Sequence, residues 1–296
     1  MNAKPPVNAV LSAVLAFGLW GVLPGYWKEL SHLGSDVALA QRVVWTMAVV
    51  LPLLLLRGEW TGFLQSLRQP KLLRAHACSA FLLAINWGVY VWAAQHGRIL
   101  DCSLGYFINP LLNVLIGSFL LGERLTRLQK LSITSAACGV MTQLVLAGRF
   151  PWIGLLLAGS FALYGLARRR SPLGSLPGLG VETVVGIPIA AMYLIWCQQS
   201  GVAIWGTAAT HDLLLIFGLG IITTIPLLGF AHAARQLPFA LLGVLQFLAP
   251  TGQFFIATLV YGEPMNAASL VSFGLIWTGV ALFCANLFFS SRRKHE

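Results

Sequence analysis

Runs of about twenty apolar residues, nearly free of charge, follow one another along the whole chain, and each is long enough to cross the roughly 30 Å hydrocarbon core of a bilayer as a helix. Ten such runs fall near residues 8–28, 37–56, 72–94, 102–121, 129–147, 151–167, 178–197, 212–234, 239–261 and 266–289. Backbone in lipid must satisfy its own hydrogen bonds, so helices are the expected form. Only 9% of residues are charged, against about 25% in a soluble domain, too few to coat a water-facing surface. The connections between runs are short and leave no room for a soluble catalytic domain. The pattern predicts an all-α integral membrane protein with ten transmembrane helices.

The net charge of +10 does not read as a nucleic-acid surface, which needs its basic residues gathered on one solvated face. Here they fall in alternate connections. With the N-terminus inside, the inner segments hold fifteen Lys and Arg, among them Lys4, Arg57, Arg68, Lys71, Arg74, Arg124, Arg127, Lys130, Arg168, Arg169, Arg170 and Arg235. Lys28, Arg98 and Arg149 lie outside, and Arg42 lies within a run. The positive-inside rule then places both termini in the cytoplasm. The first run follows the weakly basic start MNAKPP without a small-residue cleavage site, so a retained span is expected. The five cysteines stand singly with no CxxC, which predicts neither a metal site nor a disulfide framework. HExxH, GxSxG and GxxxxGK[ST] are missing from the sequence. No enzyme, no cofactor and no ATP-driven pump is expected.

An internal repeat organises the runs. At an offset of 140, Pro110 maps onto Pro250, Gly122 and Glu123 onto Gly262 and Glu263, Ala93 and Ala94 onto Ala233 and Ala234, and Gly139 and Val140 onto Gly279 and Val280. Nearer the front, at 144, Phe17, Leu19 and Gly21 match Phe161, Leu163 and Gly165, with Trp20 opposite Tyr164. Five spans per half is an odd number, so the second half enters the membrane from the opposite side. The sequence therefore predicts two inverted five-helix repeats, residues 1–149 and 150–296. Such repeats build substrate sites near the midplane between the halves.

The duplicated Pro, Gly-Glu and Gly positions, together with AFGLWGVLPGYWK (16–28), SLGYFINPLLN (103–113) and TTIPL (223–227), resemble the EamA-type permeases of the drug/metabolite transporter superfamily. The second and third stretches and the first point more narrowly to the RarD-like branch. The likeness covers essentially the whole chain. It implies a multi-pass permease of the bacterial inner (cytoplasmic) membrane, in a branch linked to chloramphenicol sensitivity. It further implies that the first four spans of each half surround a central cavity and the fifth lies outside it. One departure stands out: Pro264 follows the second Gly-Glu where Arg124 follows the first.

Several residues are too polar for the spans that hold them. Tyr106, Asn109 and Asn113 share one helical face at i, i+3 and i+7, and Gln246, Ala249 and Gln253 occupy the equivalent positions in the ninth span. An amide facing lipid leaves its donors and acceptors unpaired, so both faces are expected to look inward, either onto a cavity or as interhelical glue. Pro110 and Pro250 free the carbonyls of Tyr106 and Gln246, and Pro24, Pro52, Pro188 and Pro226 act similarly where helices continue through them. Arg42 and Glu182 are intramembrane charges, turned toward a cavity or snorkelling to an interface. Arg42 suits a carboxylate or phosphate, and Glu182 a proton or cation. Trp20 and Tyr164 fall mid-span, and Asn86 and Tyr90 make a polar and aromatic face beside Trp87. Lys28 reads as an interfacial anchor or gate, and His232 as a packing residue or proton carrier.

The expected function is a secondary active transporter, exporting a small metabolite or drug-like molecule by alternating access, with a proton as the simplest coupling ion and bound sodium or a counter-substrate fitting equally well. The predicted site comprises Trp20, Arg42, Asn86, Tyr106, Asn109, Asn113, Tyr164, Glu182, Thr223, Gln246 and Gln253. Its partners are a small-molecule substrate and the lipid bilayer, with no nucleic acid, and the oligomeric state is left open. The competing readings are a non-transporting ligand sensor or scaffold, and a facilitative channel.

Overall fold

The computed structural model describes residues 5–30, 32–95, 99–147, 150, 152–202, 205, 210–260 and 267–292. The expectations for Lys4, Arg98, Arg149, Gly262, Glu263 and Pro264, and for the side chain of Lys28, lie outside the described residues. Among the described residues the regular structure is helical, with no strand. Helix α1 (Val7–Glu29) is followed by α2 (Ser35–Leu56), which has Asp36 in its first turn. Gly58, at φ 67°, ends α2 in the left-handed conformation that other residues resist. The basic connection after it holds an unpredicted short helix, α3 (Trp60–Leu67), which buries Phe63.

Pro70 opens α4 (Pro70–Gln95) at the first-turn position where its missing N–H costs nothing. Helix α5 (Ile99–Leu115) runs into a π-helical turn, Ile116–Leu120. Helices α6 (Arg127–Ala147), α7 (Trp152–Arg170), α8 (Ser175–Gln199) and α9 (Thr210–Gln236) follow. The ninth predicted run is discontinuous: α10 (Phe239–Gln246) breaks at Phe247 before α11 (Leu248–Phe255), which enters a second π turn, Ile256–Val260. Helix α12 (Ala267–Arg292) closes the chain. The two π turns stand 140 residues apart, the offset of the sequence repeat.

Five helical stretches, Val7–Trp27, Ser35–Leu56, Pro70–Tyr90, Ser175–Gln199 and Thr210–Gln236, are long and apolar enough to cross a bilayer, and Gly105–Leu120, Phe239–Phe255 and Leu270–Asn286 are shorter apolar helices. The sequence predicts ten spans. The π turns and the break at Phe247 shorten the continuous apolar lengths, while Arg127 and Lys130 in α6 and Arg168–Arg170 in α7 dilute the others.

The helices pack in a pattern with a regular exchange. Helix α1 lies on α9 and α11, while α7 lies on α4 and α5; α2 lies on α9, while α8 lies on α4; α2 packs on α8, α5 on α10, and α6 on α12. The α6–α12 crossing is close because glycines meet carbonyls: a Cβ on Gly139 would stand 2.6 Å from the Ser272 oxygen, and one on Gly279 would stand 2.5 Å from the Ser132 oxygen. Small residues at such crossings let backbones approach without a hydrophobic driving force. One contact breaks the exchange. Helix α7 packs on α9, whereas α1 and α4 share no comparable packing among the described residues.

Candidate functional site

The gap between α1 and α4 is a cavity of about 460 Å³, within the ordinary range for small-molecule sites. It runs from Phe17 and Trp20 in mid-α1 past Leu23 and Trp27 to Leu30 and Leu33 beyond its end. Facing walls come from α2 (Ala38, Leu39, Arg42), α4 (Asn86, Trp87, Tyr90), α5 (Tyr106, Asn109), α7 (Leu157, Phe161) and α10–α11 (Gln246, Ala249, Gln253). The wall is mostly apolar and aromatic. Trp20 packs edge-on to Phe161 with ring centres 5.5 Å apart, and Tyr90 meets Tyr106 at 6.3 Å.

Polar wall residues are held by bonds between helices. Asn86 donates to the Leu157 carbonyl at 2.7 Å and to Ser160 Oγ at 3.1 Å, joining α4 to α7. Pro24 has no N–H for the Trp20 carbonyl, and Gln253 Nε2 donates to that oxygen instead, at 3.3 Å. Gln246 Oε1 accepts from Asn113 Nδ2 at 2.6 Å across α10 and α5. Arg42 Nε donates to Thr223 Oγ1 at 2.7 Å, and its guanidinium carbon stands 3.7 Å from the centre of the Trp87 ring.

The structure therefore divides the predicted residues into three groups. Trp20, Arg42, Asn86, Tyr106, Asn109, Gln246 and Gln253 line the cavity. Asn113 and Thr223 are buried just behind it, each bonded to a lining residue. Tyr164 and Glu182 are not among the lining residues and belong to a separate cluster. His232 is bonded to Gln236 one helical turn on, away from the cavity lining.

That second cluster closes the end where the basic segments gather. Glu182 accepts from Ser79 Oγ (2.6 Å), His76 Nδ1 (3.2 Å), Arg168 Nη1 (3.2 Å) and Tyr164 OH (3.2 Å). With Nδ1–H donating to Glu182, His76 Nε2 is left to accept from Ser171 Oγ at 2.8 Å. Arg168 Nη2 also donates to the carbonyls of Ser175 (2.9 Å) and Gly174 (3.3 Å). A side chain at position 178 would collide with that guanidinium, so Gly178 makes the room it occupies. Beside the cluster, Glu123 caps α10 by accepting from the Phe239 and Ala240 N–H groups at 2.7 and 3.0 Å. Arg169 reaches the Ala234 and Leu237 carbonyls, and Arg235 those of Ser171 and Leu173.

Sequence reasoning missed this plug. Arg168 counted as one of three consecutive solvated arginines, yet it is fully buried. His76 and Ser79 lay in a stretch following Lys71 and Arg74 and carried no spacing signal. Gly178 and Gly180, in the first two turns of α8 just ahead of Glu182, were the one local hint of a bulky neighbour.

Comparison with known proteins follows the same lines. Residues 7–144 match the EamA-like transporter family. Protein RarD of Salmonella typhimurium is 39% identical over 99% of this chain and 100% of its own length. The uncharacterized transporter YojE of Bacillus subtilis is 39% identical over 93% of each chain. A crystal structure of a protein 22% identical superposes with a TM-score of 0.71 over 95% of this chain and 98% of that one, a likeness of fold.

Proposed function

The chain belongs to the EamA-like transporter family, in its RarD-like branch, and from that membrane-transporter premise we propose a secondary active exporter that works by alternating access. Residues 1–149 and 150–296 are its two inverted repeats, each contributing five spans. The exchanged helix contacts, the paired Gly139/Ser272 and Gly279/Ser132 crossings, and the π turns 140 residues apart support that reading. The basic end is cytoplasmic, and the protein sits in the bacterial inner membrane with both termini inside.

The single observation that carries the mechanism is the broken exchange: α7 closes on α9 while its counterparts α1 and α4 stand apart around the cavity. In inverted repeats, the two arrangements of one contact are the two access states. The conformation described is thus outward-facing. Closing α1 on α4 while opening α7 from α9 exposes the same central residues to the cytoplasm. Asn109, Gln246 and Gln253, near the centre of both halves, form the substrate site. Glu182, with three donors on Oε1 and one on Oε2, is a latch in this state and is released in the other. The Arg168–Glu182 plug also disfavours a channel, which needs both ends open together.

Transport is tested by counterflow in proteoliposomes. Preloaded unlabelled solute accelerates entry of its labelled form through a carrier, using chloramphenicol and a metabolite panel as solutes. Accumulation against a gradient driven by an imposed proton gradient tests proton coupling, and vesicles of both orientations test the export direction. Absence of any trans-acceleration across the panel contradicts a carrier.

A further inference from the structure

We infer that the cavity takes a small organic monoanion, its carboxylate seated on Arg42 and its flat apolar body against the aromatic wall. The inference deepens the transport reading and borrows its biological meaning from it, but concerns binding alone.

Arg42 and Arg168 are both buried, at 8% and 0% exposure. They are satisfied very differently. Arg168 has a carboxylate at 3.2 Å and two backbone carbonyls. Arg42 has the Thr223 hydroxyl on its Nε and the Trp87 ring over its face, and among the described residues no carboxylate lies within ion-pairing distance. A guanidinium removed from bulk water calls for an anion, and stacking on an indole compensates only part of that loss. Its two terminal nitrogens take no protein hydrogen bond among the described residues, and the residue faces the cavity. A planar fork with both ends free matches a carboxylate in two-point contact. Arg42 is also the one charged residue among the lining residues described. One fixed positive charge balances one negative charge, so a dianion would remain half compensated.

The rest of the wall sets further requirements. Four amides line it, and three are already engaged: Asn86 with Leu157 and Ser160, Gln246 with Asn113, and Gln253 with the Trp20 carbonyl. The fourth, Asn109, is 4% exposed, and its Oδ1 is shut off from the cavity. Trp20, Phe161, Tyr90 and Tyr106 supply ring faces and edges for a planar body.

Thermal unfolding of the purified full chain tests this with matched triples on indole, phenyl and butyl bodies, each as the acetate, the acetamide and the ethylamine. At least one acetate, with the aromatic bodies favoured over butyl, is expected to stabilise with a half-saturating concentration tenfold or more below that of its amide and amine. Arg42→Gln should abolish the preference for the acid, Arg42→Lys should keep part of it, and Asn109→Leu should weaken acid and amide alike. Equal binding of acid and amide, preference for an amine, or stabilisation by no acid in any triple overturns the inference. These wild-type rankings decide even where Arg42→Gln does not fold. Acid binding without counterflow overturns the transport reading and leaves the anion site standing. Counterflow of a neutral or cationic solute unchanged by Arg42→Lys does the reverse.

Discussion

Replacing Glu182 by leucine takes away the acceptor shared by Ser79, His76, Arg168 and Tyr164. Arg168 suffers most, because it is fully buried and its Nε already lacks a partner. Breaking one side of a buried ion pair costs about 3–5 kcal/mol. At roughly 2–4 °C per kcal/mol, the melting temperature should fall by about 6–20 °C. Arg168→Met should cost a similar amount, since it leaves the buried carboxylate with Ser79, His76 and Tyr164 but without its arginine. The double variant removes both charges and should fall short of the summed losses by about 1–3 kcal/mol, as expected for residues in direct contact. Fluorescence-detected unfolding of purified protein reads all three. Single-variant shifts below about 2 °C, or strictly additive losses, would refute the view that the pair closes the basic end as a unit.

The glycine crossings and the α10 cap make two further predictions. Gly139→Val and Gly279→Val each drive a side chain into a facing carbonyl and should lower stability comparably, by about 1–3 kcal/mol each in the same unfolding assay; a cost at one site only would contradict an exchanged pair. Glu123→Ala should cost about 0.5–2 kcal/mol and speed amide exchange at Phe239 and Ala240, the two N–H groups it caps; unchanged exchange there would show that water caps α10 equally well.

Much of this molecule could be read before any coordinates, for a physical reason: lipid-sized apolar runs and an unpaired charge inside one of them are local signals. Arg42 announced itself because α2 carries no other charge beyond its first turn. Arg168 did not, because an arginine triplet at a helix end reads equally as interface or plug, and only the positions of α4 and α8 distinguish the two. Pro24 showed that the Trp20 carbonyl needs a donor, but Gln253, 233 residues away, is a partner that only packing reveals. The spacing of Trp60, Phe63, Leu64 and Leu67 carried the amphipathic signature of α3, obscured by the basic residues around it. The break at Phe247 precedes Pro250 by three residues; Pro110, at the repeat-equivalent place, sits inside an unbroken α5. Sequence alone marked both prolines and distinguished neither.

Alternating access is tested most directly by distance measurements between spin labels at both ends of one molecule. With the five free cysteines replaced, one pair of labels at Glu29 and Trp152 spans the cavity mouth and another at Arg57 and Arg124 spans the basic end. Introducing Glu182→Leu should lengthen the basic-end distances while shortening those at the mouth. Distances that lengthen at the basic end while the mouth stays wide would describe a pore and contradict the account.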